Sequence, residues 1–311
     1  MSTKSIEKKQ LSGTGGFIAG ALAACGAVTV TNPIEIVKTR MQLQGELHAK
    51  GQAKKVYTGL FQSLRVILKH EGIRGWYRGL GSAYIYQIGL NGCRLGFYEP
   101  IQQETSRLLL GNPNESTLGI NVFSGATSGI MGAIAGSPFF LVKTRMQSYS
   151  PAFQVGTQTH YKSLFHGLRT IYSSEGFKGL YRGCASAIMR TGAGSSVQLP
   201  IYNYVKSIVQ KYNIVPEGPA QHLISSAASG LGVCFVMNPW DVIMTRMYNQ
   251  RGNLYSGLFD CLVKTVKIEG PLALYKGFVP HLMRIGPHTI LTLTFMEQTR
   301  KLMMFVEGIE P

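Results

Sequence analysis

One pattern recurs three times along the chain and constrains its fold more than any other feature. Pro33-Ile-Glu35-Ile-Val-Lys38-Thr-Arg40 returns, with losses, as Pro138-Phe-Phe140-Leu-Val-Lys143-Thr-Arg145 and as Pro239-Trp-Asp241-Val-Ile-Met244-Thr-Arg246. Each copy is followed by a tyrosine (Tyr57, Tyr161, Tyr255), then by Glu71-Gly72, Glu175-Gly176 or Glu269-Gly270. Tyr77-Arg78-Gly79, Tyr181-Arg182-Gly183 or Tyr275-Lys276-Gly277 come next. Tyrosine to glutamate is 14 residues and glutamate to base is 7 in all three copies. A unit repeated at fixed period folds as one supersecondary element whose apolar face is buried against its neighbours. The units are residues 11–112, 113–216 and 217–306, together one domain.

Each unit holds two long, weakly polar stretches. Gln10 to Ile34, Ser116 to Val142 and Pro219 to Trp240 contain no Asp, Glu, Lys or Arg, and each can cross roughly 30 Å of hydrocarbon as a helix. The second stretches run from about Leu80, Cys184 and Phe278 to about Arg107, Lys211 and Phe305, and carry single arginines, Arg94, Arg190 and Arg284, before their polar ends. Between the two lies a short amphipathic piece (Leu60 to Lys69, Leu164 to Ser173, Leu258 to Lys267) that reads as an interfacial helix. Small residues line the first stretches, as in Ala19-Gly20-Ala21 and Ser124-Gly125-Ala126, and such seams are how helices associate in lipid. The expected fold is all-α and membrane-integral: six transmembrane helices in three pseudosymmetric pairs, both termini on one side.

Composition excludes several alternatives. Only 15% of residues are charged, against roughly 25% in soluble proteins. The formal charge of +16 suits anionic lipid or an anionic solute. The basic residues are scattered singly without a zinc or aromatic-basic module, which argues against a nucleic-acid partner. Seven histidines lack metal spacing, and no nucleophile elbow or phosphate loop occurs, so neither an enzyme nor a metal site is expected. The five cysteines are far apart in apolar stretches and read as small buried residues. No cleaved secretory signal or Arg-rich transit segment is visible, so targeting is expected to reside in the mature chain.

The motif Pro-x-acidic-x-x-basic-x-basic, three times followed by Glu-Gly and aromatic-basic-Gly, resembles that of the mitochondrial carrier family from about Gly13 to Phe305. The resemblance implies a six-helix barrel in the mitochondrial inner membrane, with the short helices on the matrix side. It also implies a central cavity and two gates that open alternately, in a functional monomer without cofactor. The stretches Asn32 to Gly45, Arg190 to Asn203 and Met237 to Asp241 are similar to the branch of the family that carries oxaloacetate, sulfate, malonate and related small dianions, by exchange or proton-coupled import. A dicarboxylate or 2-oxoglutarate carrier, or an uncoupling-type proton leak, stays open as an alternative.

A proline within a helix removes a backbone hydrogen bond and bends the helix. Bends at Pro33, Pro138 and Pro239 would draw three helix ends together, whereas the plain alternative is helix termination. By the family pattern, a matrix gate pairs Glu35 with Lys143, Asp241 with Lys38, and the two departures from the motif, Phe140 and Met244, with each other. A cytosolic gate would join Glu99 to Lys206, Asn203 to Arg300 and Glu297 to Gln102. With no acidic residue near in their own helices, Arg190 and Arg284 read as unneutralised cations facing water, a binding site for a dianion. The resemblance adds Thr191 and Arg94, with Gln87 and Asn91 on the same wall; pairing across helices is the alternative. It also implies cardiolipin at Gly79, Gly183 and Gly277, glycines that equally suit tight turns.

Overall fold

The computed structural model describes residues 12–49, 55–113, 115–212 and 219–308. Nine α-helices follow in order among them: α1 (Gly13–Leu43), α2 (Leu60–Trp76), α3 (Leu80–Leu110), α4 (Leu118–Ser148), α5 (Leu164–Leu180), α6 (Cys184–Lys211), α7 (Pro219–Asn249), α8 (Leu258–Glu269) and α9 (Phe278–Val306). A 3-10 turn, Pro271–Tyr275, stands between the last two. Thr14–Leu43, Leu118–Ser148 and Ile224–Asn249 are long and apolar enough to cross a membrane. Helices α3, α6 and α9 are of similar length, 31, 28 and 29 residues, but more polar, because each puts arginine, glutamine or histidine towards the molecule's interior.

The helices α1, α4 and α7 run on past Pro33, Pro138 and Pro239 to Leu43, Ser148 and Asn249. The prolines therefore do not terminate them. The interfacial helices end near where the sequence suggests: Gly72 (φ 65°) and Gly176 (φ 69°) have non-helical backbone and break α2 and α5 with a kink before the short runs to Trp76 and Leu180. Gly79, Gly183 and Gly277 then start α3, α6 and α9 with φ of 76°, 89° and 74°, the left-handed region that glycine occupies without strain. A Cβ on Gly79 would also stand 3.2 Å from that of Met146 and 3.4 Å from the Lys143 carbonyl. These glycines bring the start of each even-numbered span against the next unit.

Helix α1 packs on α9, α4 on α3 and α7 on α6, through small side chains: Ala19, Ala23, Ser124, Ser128, Ser225 and Ser229 are all buried. Two of these seams are also joined by the chain itself. The α1–α9 seam is held instead by Ser12, whose amide donates to Glu307 Oε2 at 3.0 Å while its hydroxyl donates to Oε1, and by Thr299 Oγ1 donating to the Ala19 carbonyl at 2.9 Å.

At the end carrying α2, α5 and α8, three arginines close the ring. Arg40, Arg145 and Arg246 are fully buried, and each is held by the glutamate of its own unit: Glu71, Glu175 and Glu269. Each also donates to carbonyls at the C-terminal end of a helix in the neighbouring unit. Arg40 reaches Gln147 and Tyr149, Arg145 reaches Tyr248 and Gln250, and Arg246 reaches Gln42. A buried guanidinium is tolerable only with such full coordination.

Candidate substrate site and gate

The ends of α1, α4 and α7 converge on a buried cluster of charges. Lys143 Nζ lies 2.7 Å from Glu35 Oε1, and Lys38 is paired with Asp241. Both pairs join different units, and all four side chains are buried. Gln42 Nε2 donates to Asp241 Oδ2 at 2.9 Å, and Gln42 Oε1 accepts from Thr245 Oγ1 at 2.8 Å.

The two arginines of the proposed substrate site are not the unneutralised cations that the sequence suggested. Arg190 Nε on α6 donates to Asp241 Oδ1 at 2.6 Å. Arg284 Nη2 on α9 stands 3.7 Å from Glu35 Oε1. Both partners come from neighbouring helices, α7 and α1, which an inspection of each arginine's own helix could not reveal. Pairing is nevertheless incomplete. Four cations (Lys38, Lys143, Arg190, Arg284) share two carboxylates (Glu35, Asp241), leaving two positive charges in excess among these six. The buried Arg284 Nε and Glu35 Oε2 have no hydrogen-bond partner, and 26% of the Arg190 side chain is open to solvent. His281 adds a neutral-capable neighbour, 3.2 Å from Asn238 and 4.0 Å from Asp241.

At the third junction, Phe140 and Met244 belong to one apolar cluster with Tyr248. The Phe140 ring centroid is 5.0 Å from that of Tyr86 and 5.1 Å from that of Tyr248, and Lys143 Nζ lies 5.2 Å from the Phe140 centroid and 5.3 Å from that of Tyr86. The lysine is thus held by a carboxylate and two aromatic faces. Beside this box is a cavity of about 230 Å³ between α3, α4, α6 and α7, into which Arg190 and Thr191 project alongside Tyr86, Phe140, Met237 and Met244.

Other expected residues fall elsewhere. Gln87 is half-buried but does not line this cavity, and the side chains of Asn91 and Arg94 lie outside the described residues. The opposite end of the barrel has none of the three expected pairs. Glu99, Asn203, Glu297 and Arg300 are exposed and Lys206 half-buried; Glu297 pairs with Lys301 at 2.9 Å, and Gln102 donates to Asn121 at 3.0 Å. These side chains lie apart in this conformation, which leaves the expected cytosolic pairs unformed. The structure is closed where α1, α4 and α7 converge and open at the other end.

Sequence reasoning assigned no role to Arg40, Arg145 and Arg246 or to Glu71, Glu175 and Glu269, which lock the closed end. The signal was present: an arginine seven residues after each proline, and a tyrosine-to-glutamate spacing of 14 in every unit. Glu71 shows the effect on protonation: burial opposes its charge, but the Arg40 hydrogen bonds prevail and hold its carboxyl below the usual range.

The family profile described as mitochondrial carrier protein matches residues 9–107, 114–213 and 215–307. The mitochondrial oxaloacetate transport protein of Saccharomyces cerevisiae is 60% identical, over 98% of this chain and 95% of that protein. The mitochondrial citrate transporter E of Aspergillus niger is 60% identical over 94% of this chain and 95% of its own length. The mitochondrial oxaloacetate transport protein of Schizosaccharomyces pombe is 56% identical over 95% and 93%. Three profile matches on three two-span units, joined by a shared gate of inter-unit ion pairs, lead to one conclusion: this chain belongs to the mitochondrial carrier family, whose members are multi-pass transporters of the inner mitochondrial membrane.

Proposed function

We propose that the chain carries small dianions, oxaloacetate and sulfate foremost and malonate or related dicarboxylates besides, by exchange or proton-coupled import. The observation that carries this reading is the charge balance of the cluster, four cations on two carboxylates. A dianion reaching Arg190 and Arg284 from the open end neutralises the excess, and its oxygens suit the forked guanidinium donors. A monoanion leaves one charge over. The relatives named for oxaloacetate support the same reading; the relative named for citrate fits it less well, since citrate is a trianion at neutral pH.

Because Arg190 and Arg284 also serve Asp241 and Glu35, substrate and gate compete for the same guanidinium groups. Occupancy then weakens the hold of α6 on α7 and of α9 on α1, and the matrix gate of Glu35, Lys38, Lys143 and Asp241 opens more readily. Glu99 with Lys206, Asn203 with Arg300, and Glu297 with Gln102 act as the cytosolic gate when the opposite end closes. We also assign an anionic lipid, cardiolipin by chemistry, to the starts of α3, α6 and α9 at Gly79, Gly183 and Gly277. The transport unit is the monomer, since each gate and the cavity are built within one chain.

The test is uptake of labelled sulfate by liposomes loaded with a panel of dianions. Wild type exchanges sulfate for oxaloacetate and malonate, and Arg190→Ala and Arg284→Ala each lose at least about tenfold, the size of one lost charge-assisted contact. Equal uptake by all three proteins rules out these ligands, and fatty-acid-stimulated proton conductance without sulfate uptake would favour the leak function.

A further inference from the structure

We propose that Phe140 and Met244 are specificity-determining residues that fix the charge of the cargo at two. The proposal rests on the reading that Arg190 binds the dianion, and adds what the neighbouring wall does. Phe140 stands at the register of Glu35 and Asp241, and Met244 at that of Lys38 and Lys143. A base at position 244 without an acid at position 140 would raise the excess positive charge from two to three. The two apolar residues hold it at two.

They also make the wall facing Arg190 poor in free donors. Across the cavity lie Tyr86, Phe140, Met237 and Met244. The Thr191 hydroxyl donates to the Ala187 carbonyl at 2.9 Å, and the Tyr248 hydroxyl is hydrogen-bonded to Ser137 at 2.9 Å. The ammonium of Lys143 is engaged by Glu35 and lies 5.3 and 5.2 Å from the centroids of the Tyr86 and Phe140 rings. A tricarboxylate anchored on Arg190 would therefore press its third carboxylate against a wall whose one open donor among the described residues is the neutral Tyr86 hydroxyl and which offers no counter-charge, and an unpaired buried carboxylate is strongly disfavoured. A dianion has no group left over to suffer this.

The experiment compares uptake of labelled citrate and labelled sulfate in proteoliposomes carrying wild type, Met244→Lys, or the double variant Phe140→Asp/Met244→Lys. Wild type takes up sulfate in clear preference. Met244→Lys raises the citrate-to-sulfate ratio at least about tenfold, and the double variant, whose new charges cancel, returns the ratio towards wild type. Since Met244 is buried, a lysine there can prevent folding; Leu90→Lys, on the half-buried rim of the same cavity, adds the charge without burying it and is expected to shift the ratio in the same direction. Retained folding is read as a sulfate-dependent rise in Tm in detergent. Wild type taking up citrate as fast as sulfate, or folded lysine variants with an unchanged ratio, overturns this proposal alone. A wild type that takes up neither anion refutes the dianion reading and this proposal with it.

Discussion

Asp241 serves Lys38, Arg190 and Gln42 at once, with His281 at 4.0 Å. Its replacement by asparagine leaves the buried Lys38 and the half-buried Arg190 without a counter-charge, which costs about 3 kcal/mol. Asp241→Asn is therefore expected to lower Tm and to lose sulfate exchange, both measurable on the purified protein. Phe140→Asp alone introduces the mirror fault, a buried carboxylate beside Met244, and is expected to impair uptake that Met244→Lys partly restores. At this scale the family resemblance foretold the pairs between units, from acid and base standing at one register of each repeat. It did not disclose the partners of Arg190 and Arg284. Those lie on adjacent helices whose facing sides depend on helix rotation, and the periodicity of a single helix carries no information about that.

At the scale of elements, the interfacial helices α2, α5 and α8 act as brackets that carry a glutamate to the arginine of the preceding span. Glu71→Gln keeps the shape but removes the charge facing the fully buried Arg40, and is expected to destabilise by about 3 kcal/mol, visible as a lower Tm. Gly79→Ala forces a left-handed Ala against the Lys143 carbonyl, at a cost of about 1–2 kcal/mol for the backbone alone. The turn after α1 is a further bracket: Tyr255 Oη donates to Glu46 at 2.8 Å, and the Leu47 amide donates to Glu269 at 2.9 Å. Burial, reinforced by Glu269, holds the Glu46 carboxyl above its ordinary value. A raised carboxylate pKa gives stability that is present at low pH and lost as pH rises through the folded value. Glu46→Gln is thus expected to gain stability relative to wild type as pH rises above the ordinary carboxylate range, measured as the difference in Tm. The helices themselves were legible from charge-free length. What was not legible is that the chain resumes helix beyond the breaks at Gly72 and Gly176, to Trp76 and Leu180.

At the scale of the molecule, the threefold repeat foretold three two-span units, and the family resemblance foretold the barrel and its alternating gates. The conformation was not legible, because one sequence must support both the open and the closed arrangement at each end. The absence of the expected pairs Glu99–Lys206, Asn203–Arg300 and Glu297–Gln102 belongs to the conformation, and cysteines at positions 99 and 206 are expected to cross-link only after substrate has driven the opposite end open.

The hydrogen-bonded meeting of Ser12 with Glu307 has a consequence for chain connectivity. Two of the three seams on that side are spanned by peptide, and the third by a side-chain clasp of equal reach, so the barrel has no structurally privileged starting point. A circularly permuted gene, joining position 307 to position 12 through a short polar linker and opened between α3 and α4, should yield the same barrel with its new ends on the same face of the bilayer. Sulfate exchange by that permutant would show that the order of synthesis is incidental to the closed ring.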